Sequence, residues 1–225
     1  MFANSQPIQS SQHGPHGRLR EIVQKHLHTE FLRPPSATSL NAFAALALRL
    51  SAFPDTKPLI LDTGCGTGVS TLALARQHPD CHVIGIDKSE LRLAQGQRLL
   101  QQPGAPENAL LLRCDLVDFW RLAAQAGWRV RQQYLLYPNP WPKPEHLKRR
   151  WHGHPVFASL LALGGTWELR CNWKVYAEEF AQALDCAGIV ANIEEFIPEI
   201  ALTPFEQKYQ ASGHRLWRCC ASISG

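Results

Sequence analysis

The chain has 225 residues, 45% of them hydrophobic and 19% charged. That is the size and balance of one globular domain, and it excludes a disordered or disulfide-stapled chain. The formal net charge of +4 excludes a polycation acting through its overall field, so any nucleic-acid contact must come from a local patch. Seven cysteines, at 65, 81, 114, 171, 186, 219 and 220, are odd in number and form no CxxC pair, so neither a disulfide framework nor a zinc site is expected. A reducing, cytoplasmic setting follows. The opening segment lacks the apolar core of a signal peptide, and no apolar stretch reaches the roughly 18 residues of a membrane span.

In chain order, residues 1–17 are polar with Gly and Pro and are expected to be mobile. A short helix is expected over 18–28, stopped by Pro34 and Pro35. Together these residues, 1–35, read as a flexible and partly helical extension, and 36–225 as the domain proper. Residues 36–53 place Leu40, Phe43, Ala44, Ala47 and Leu50 at helical spacing, with Ser36 or Ser39 as N-cap. A regular alternation follows: strand 58–62, helix 68–78, strand 82–86, a helix capped by Ser89 and running to about residue 100, strand 109–113, helix 115–126 and strand 133–137. After a proline-rich loop come a helix ending near Leu163, strand 166–170, helix 176–186, and strands 189–196 and 216–222. Apolar strands alternating with helices imply an α/β fold: a mostly parallel seven-stranded sheet covered on both faces, Rossmann-like.

The first strand ends in Asp62, and Gly64, Gly66 and Gly68 follow before a helix. Glycines let the backbone approach a ligand, and a helix N-terminus offers free N–H groups. The spacing is GxGxG, with Val69 where the dinucleotide fingerprint GxGxxG requires glycine. Asp62 would repel a pyrophosphate but attract the ammonium of a methionine moiety. S-adenosylmethionine is therefore expected as cofactor in preference to NAD, which would make the chain a nicotinamide oxidoreductase. Asp87 closes the second strand, where a carboxylate accepts hydrogen bonds from ribose hydroxyls. Asp115 follows the third strand, placed to accept from an adenine amino group or merely to cap a helix. Capping explains one such acid more readily than three in succession.

The fourth strand runs into Tyr-Pro-Asn-Pro-Trp-Pro-Lys, residues 137–143. Asn139 supplies an amide that can orient a target nitrogen, and Trp141 a face that can stack on a base. Lys143, Lys148, Arg149 and Arg150 follow within eight residues, with His146, His152 and His154 close by. Such a run beside a cofactor pocket reads as a phosphate-binding patch.

From about Leu59 to Trp217 the sequence resembles the tRNA (guanine-N7)-methyltransferase family. The resemblance is carried by residues 137–150, by Asn-Trp-Lys-Val-Tyr-Ala at 172–177 and by Thr-Pro-Phe-Glu-Gln-Lys at 203–208. It implies a Rossmann-like, S-adenosylmethionine-dependent methyltransferase acting on a guanine of the tRNA variable loop. Gly64, Asp87, Asp115 and Asn139 would line the cofactor, with Asn139 at the catalytic position. Lys143, Asn172, Thr203, Phe205 and Glu206 would face the substrate. The family motif has aspartate where this chain has Asn139 and Asn172. Both changes remove a negative charge, which leaves slower N7 transfer, another acceptor (an exocyclic amine of RNA, a protein or a small molecule) and a catalytically silent RNA-binding homologue as open readings. Asn-Pro-Trp is also similar to the Asn-Pro-Pro-aromatic loops of amino-group methyltransferases. The segment 14–18, Gly-Pro-His-Gly-Arg, differs from the family and is expected to be a flexible arm adding backbone contacts to RNA.

Overall fold

A computed structural model describes residues 4–53 and 57–223. The first element, α1 (Leu19–Leu27), and α2 (Ala37–Ser51) precede the alternating part; Ser36 caps α2 by accepting from the backbone N–H of Ser39. Then come β1 (Leu59–Thr63), α3 (Val69–Gln77), β2 (His82–Asp87), α4 (Glu90–Leu100), β3 (Ala109–Arg113), α5 (Leu116–Gln125) and β4 (Gln132–Leu136). The second half holds α6 (Phe157–Ala162), β5 (Gly165–Cys171), α7 (Lys174–Cys186), β6 (Ala191–Phe196), α8 (Pro204–Ala211) and β7 (Leu216–Ile223).

The seven strands form one sheet in the order β3-β2-β1-β4-β5-β7-β6, parallel except for β7, which runs antiparallel to both its neighbours. Strand order reverses between β1 and β4, and open sheets of this kind bind ligands at such a reversal, beyond the carboxyl ends of the strands. Alternate side chains divide the core. Leu61, Ile84, Leu110, Leu135 and Leu169 face α1, α2, α5, α6 and α7, whereas Ile60, Val83, Ala109 and Tyr134 face α3. The second layer is drawn close by small residues. A Cβ added at Gly85 would lie 2.2 Å from Thr71 Oγ1 and 2.8 Å from Leu111 Cδ2, so α3 rests directly on the bare β2 backbone.

The helix expected to end near Leu163 is the short α6, and two 3-10 turns, Pro144–Arg149 and Trp151–Gly153, precede it. Pro142, Pro144 and Pro155 remove the N–H groups that a longer helix requires. Helix α8 was not expected. Its start is nonetheless written in the sequence as a capping box, Thr203-x-x-Glu206, with proline at the first helical position. Nor is 35/36 a boundary in packing, because Leu19 and Val23 are fully buried in the larger cluster and Ile8 packs against it. Of the segment expected to be mobile, residues 1–3 lie outside the described residues, and Ser5, Ser10, Gln12 and His16 are hydrogen-bonded to the body.

Candidate active site

The turn after β1 is built on positive φ: Gly64 at 80°, Gly66 at 58° and Gly68, the N-cap of α3, at 74°. These conformations favour glycine. An added Cβ at Gly64 or Gly66 would find its nearest atom 3.9 Å away, so the turn leaves room above it for a ligand.

Asp62 lies beneath this turn and is 1% exposed. Its Oδ2 accepts hydrogen bonds from Ser70 Oγ and Thr71 Oγ1, both at 2.6 Å. Its Oδ1 is buried without a hydrogen-bond partner among the described residues. Burial pushes the carboxyl up to about 6, against the pull of the two hydroxyls. An unpartnered carboxylate oxygen buried under a glycine turn favours a cationic group above the turn through its charge rather than by direct contact, as a methionine ammonium would supply.

Asp87 is buried at the end of β2. Its Oδ2 accepts from Gly66 N at 3.0 Å and its Oδ1 from Ser89 N at 2.7 Å, which ties the glycine turn to the second strand. A carboxylate has about four lone-pair sites, so acceptor capacity for a diol remains. Asp115 caps α5 through Val117 N at 2.9 Å, and its side chain is 42% exposed. The three acids therefore stand at successive strand ends on one edge: Asp62 is held by two hydroxyls of α3, Asp87 by the backbone of the glycine turn, and Asp115 caps α5 and is partly open to solvent.

Beyond β4 the chain turns sharply, with positive φ at two non-glycine residues, Tyr137 (51°) and Trp141 (44°). Residues in this region store strain and concentrate at functional sites. Between them Asn139 is exposed, and its Oδ1 accepts from Trp141 N at 3.3 Å, which leaves the Nδ2 amide donor for a ligand. At the end of β5, Nδ2 of Asn172 lies 3.1 Å from His214 Nδ1, and His214 Nε2 lies 3.0 Å from the Ser5 carbonyl oxygen. A carbonyl only accepts, so Nε2 carries the proton and Nδ1 accepts from Asn172. Asn172 thus turns its Oδ1 acceptor outward.

The cations expected on one patch divide. Lys143, Lys148 and Arg149 are exposed. The Arg149 guanidinium sits 4.8 Å over the Trp141 ring, so it already covers one face expected to take a base. Arg150 does not belong to the patch. It is 0% exposed, paired with Glu179, and donates to the carbonyls of Trp141 and Lys143; a phosphate cannot reach it. The segment 203–206 divides likewise. Phe205 is 54% exposed at the lip, stacked 6.1 Å from Tyr209, while Thr203 caps α8 through Glu206 N at 2.9 Å. Glu206 is 0% exposed and therefore cannot touch a substrate. It accepts from Tyr137 Oη at 2.8 Å, Arg170 at 3.0 Å and Leu202 N at 2.6 Å, locking α8 to the ends of β4 and β5. Burial, with the Glu206 carboxylate beside it, pushes the Tyr137 phenol well up, so it stays a proton donor. Among the described residues, no three His, Cys, Asp or Glu side chains are grouped to hold a metal ion, and no helix is long and apolar enough to cross a membrane.

Solved structures of similar fold include methyltransferases. The 16S rRNA methyltransferase KamB superposes with a TM-score of 0.59 at 18% identity, over 87% of this chain and 97% of that one. A 16S rRNA (adenine(1408)-N(1))-methyltransferase from Catenulisporales acidiphilia, determined with the cosubstrate SAM, gives 0.57 at 15% identity over 81% and 92%. In sequence, a tRNA (guanine-N(7)-)-methyltransferase of Leifsonia xyli is 30% identical over 185 residues, 78% of this chain and 81% of its own length. One of Saccharophagus degradans is 32% identical over 178 residues, 73% and 75% of the two chains. The model of a family described as putative methyltransferase matches residues 56–219. A match of that extent, with relatives of this identity and coverage, places the chain in that methyltransferase family, as an S-adenosylmethionine-dependent enzyme related to the tRNA (guanine-N(7)-)-methyltransferases.

Proposed function

We propose that the protein is a cytosolic RNA-binding enzyme that methylates N7 of a guanine in tRNA. The observation that carries this reading is the juxtaposition at one sheet edge. The acids and glycines of a cofactor cradle end β1 to β3, and an exposed amide followed by Lys143, Lys148 and Arg149 leaves β4. The names of the sequence relatives supply the target.

When bound, S-adenosylmethionine supplies an electrophilic methyl group on a sulfonium. Asp62, Asp87, Asp115 and the turn of Gly64, Gly66 and Gly68 would hold it. Guanine N7 attacks through a lone pair, so no side chain has to remove a proton before transfer. The work left to the protein is to hold the base in line. Asn139 Nδ2 can donate to an acceptor on the base edge, and Asn172 Oδ1 can accept from a donor. Lys143, Lys148 and Arg149 would take backbone phosphates, and exposed Phe205 one base face. N7 becomes cationic as the bond forms, and an amide stabilises that charge less than a carboxylate, so transfer is slow for this chemistry.

A second reading, an exocyclic amine as acceptor, is favoured by the free Oδ1 of Asn172, which can receive an N–H. Incubating the purified protein with S-adenosylmethionine and unmodified tRNA, then analysing nucleosides by mass, separates the two. 7-Methylguanosine is the expected product, and a methylated amine would replace the first reading by the second. No transfer to tRNA with intact cofactor binding refutes tRNA as substrate; activity appearing only in Asn139→Asp would mark the natural protein as a silent RNA binder.

A further inference from the structure

We infer that the N-terminal segment from Ser5 to His16 is a positioning strap for both amides of the active site, with Gln12 as its key residue. This inference rests on the active-site reading of Asn139 and Asn172 given above. Three consecutive carbonyls follow Asn139 and its proline, and each is held by a side chain. Trp141 O accepts from Arg150 Nε and Nη2 at 3.2 and 3.0 Å, Pro142 O from Ser10 Oγ at 2.6 Å, and Lys143 O from Arg150 Nη2 at 3.2 Å. The backbone after Asn139 is therefore held by Arg150 and Ser10, between the bond from Tyr137 N to Arg170 O at 2.8 Å before it and that from His146 N to Lys143 O at 2.9 Å behind it.

Arg150 is in turn oriented from two sides. Glu179 accepts from its Nη1, and Gln12 Oε1 accepts from its Nη2 at 3.0 Å. Glu179 is a fully engaged carboxylate: it also accepts from His152 Nε2 at 2.9 Å, Gln12 Nε2 at 2.6 Å and the His16 backbone N–H at 2.9 Å. Arg150, His152 and Glu179 are all 0% exposed, where every bond counts fully because no water replaces it. Among the described residues, Gln12 is the one side chain hydrogen-bonded to both members of the buried pair. The start of the same segment reaches the second amide: Ser5 O holds His214 Nε2 and Ser5 N donates to Ser212 Oγ at 3.1 Å, and His214 fixes Asn172. The strap's apolar contribution to the core is Ile8 alone, so its polar contacts set loop position more than they hold the fold together.

The test uses the whole chain with Gln12→Ala and, separately, Ser10→Ala, which removes the donor to Pro142 O and the acceptor of the Gln12 backbone N–H. Amide hydrogen exchange is read without substrate, and methyl transfer to unmodified tRNA is read beside cofactor affinity. Expected in Gln12→Ala is exchange about tenfold faster in residues 139–150, the equivalent of one hydrogen bond, with β1 and α3 unchanged. Turnover should fall on the order of 100-fold, as for a displacement of about 1 Å, while the dissociation constant of S-adenosylmethionine stays within about twofold, the chemistry but not the cradle being affected. Ser10→Ala should show the same pattern, smaller. Unchanged loop exchange in both variants, or exchange rising equally throughout the molecule, overturns the inference. A wild type inactive on tRNA refutes the proposed substrate only, and the exchange measurement still decides the strap.

Discussion

Replacing Asp62 by asparagine should stabilise the free protein at neutral pH and weaken its cofactor binding, an outcome opposite to that of removing an ordinary hydrogen-bonded carboxylate. Asp62 is raised from 3.8 to about 6 by burial, and its Oδ1 has no partner among the described residues. The folded value lies above the unfolded one, so the folded protein holds this proton more tightly. Below pH 3.8 the carboxyl costs nothing; stability falls as pH rises from there, and above about 6 the full cost of about 3 kcal/mol applies. Asparagine removes that cost. It keeps one oxygen for the Ser70 and Thr71 hydroxyls but sets an N–H group where Oδ1 now lies, which offsets about 1–2 kcal/mol. The net gain at pH 8 is about 1–2 kcal/mol, or about 2–8 °C in melting temperature for a chain of this length. At pH 4.5 the gain disappears. A cofactor ammonium favours the ionised carboxylate, so wild-type affinity rises between pH 5 and 7, whereas the variant's is flat and about tenfold weaker at pH 8. Thermal melts of the free protein at both pH values and calorimetric titration with S-adenosylmethionine measure these quantities. A variant less stable at both pH values, with unchanged affinity, would refute the assignment of Asp62 as an unsatisfied charge awaiting a cation.

Asn139→Asp should speed N7 transfer by about tenfold in single-turnover assays, because a carboxylate meets the cation formed at N7; a slower variant would favour the amine acceptor. Lys148→Ala should weaken tRNA binding alike for all sequences and reduce the slope of log affinity against log salt by about 1, measured by filter binding over a salt series. Gly85→Ala forces a methyl against Thr71 Oγ1 and Leu111 and should cost about 1–3 kcal/mol in urea unfolding. Because Thr71 is a donor to Asp62, the same change should also lower cofactor affinity.

The strands and the glycine turn could be read in the sequence because their causes are local. Apolar runs of strand length alternate with capped helices, and the signature Asp62 to Gly68 needs no distant partner to be recognised. Ser36, Ser89 and Asp115 all cap the helices that their residue types announce. The exposure of Lys148 and burial of Arg150 could not be read, since a basic run carries no sign of which member meets a carboxylate 29 positions later at Glu179. Glu206 is similar: next to a substrate motif it suggests contact, yet its partners Tyr137 and Arg170 come from two other strand ends. The ordering of Gln12 was the least legible, because a polar segment with Gly and Pro has the composition of a loose arm, and only tertiary hydrogen bonds reveal otherwise. Helix α8 differs in kind, since its start has a local cause in the sequence, Thr203 followed three residues later by Glu206.

The placement of β7 governs how this molecule can be assembled. The last strand in sequence lies between β5 and β6, pairing with seven residues of one and six of the other. Until Leu216–Ile223 has emerged from the ribosome, β6 has no neighbour to join, and the open edge of β5 remains a template for other chains. A nascent chain halted before that point can hold its nucleotide cradle already formed on β1 to β4, yet it would be unable to close the sheet. Removing the eight residues of this strand should therefore make the protein aggregate, whereas a comparable loss from an outer strand would only trim its border.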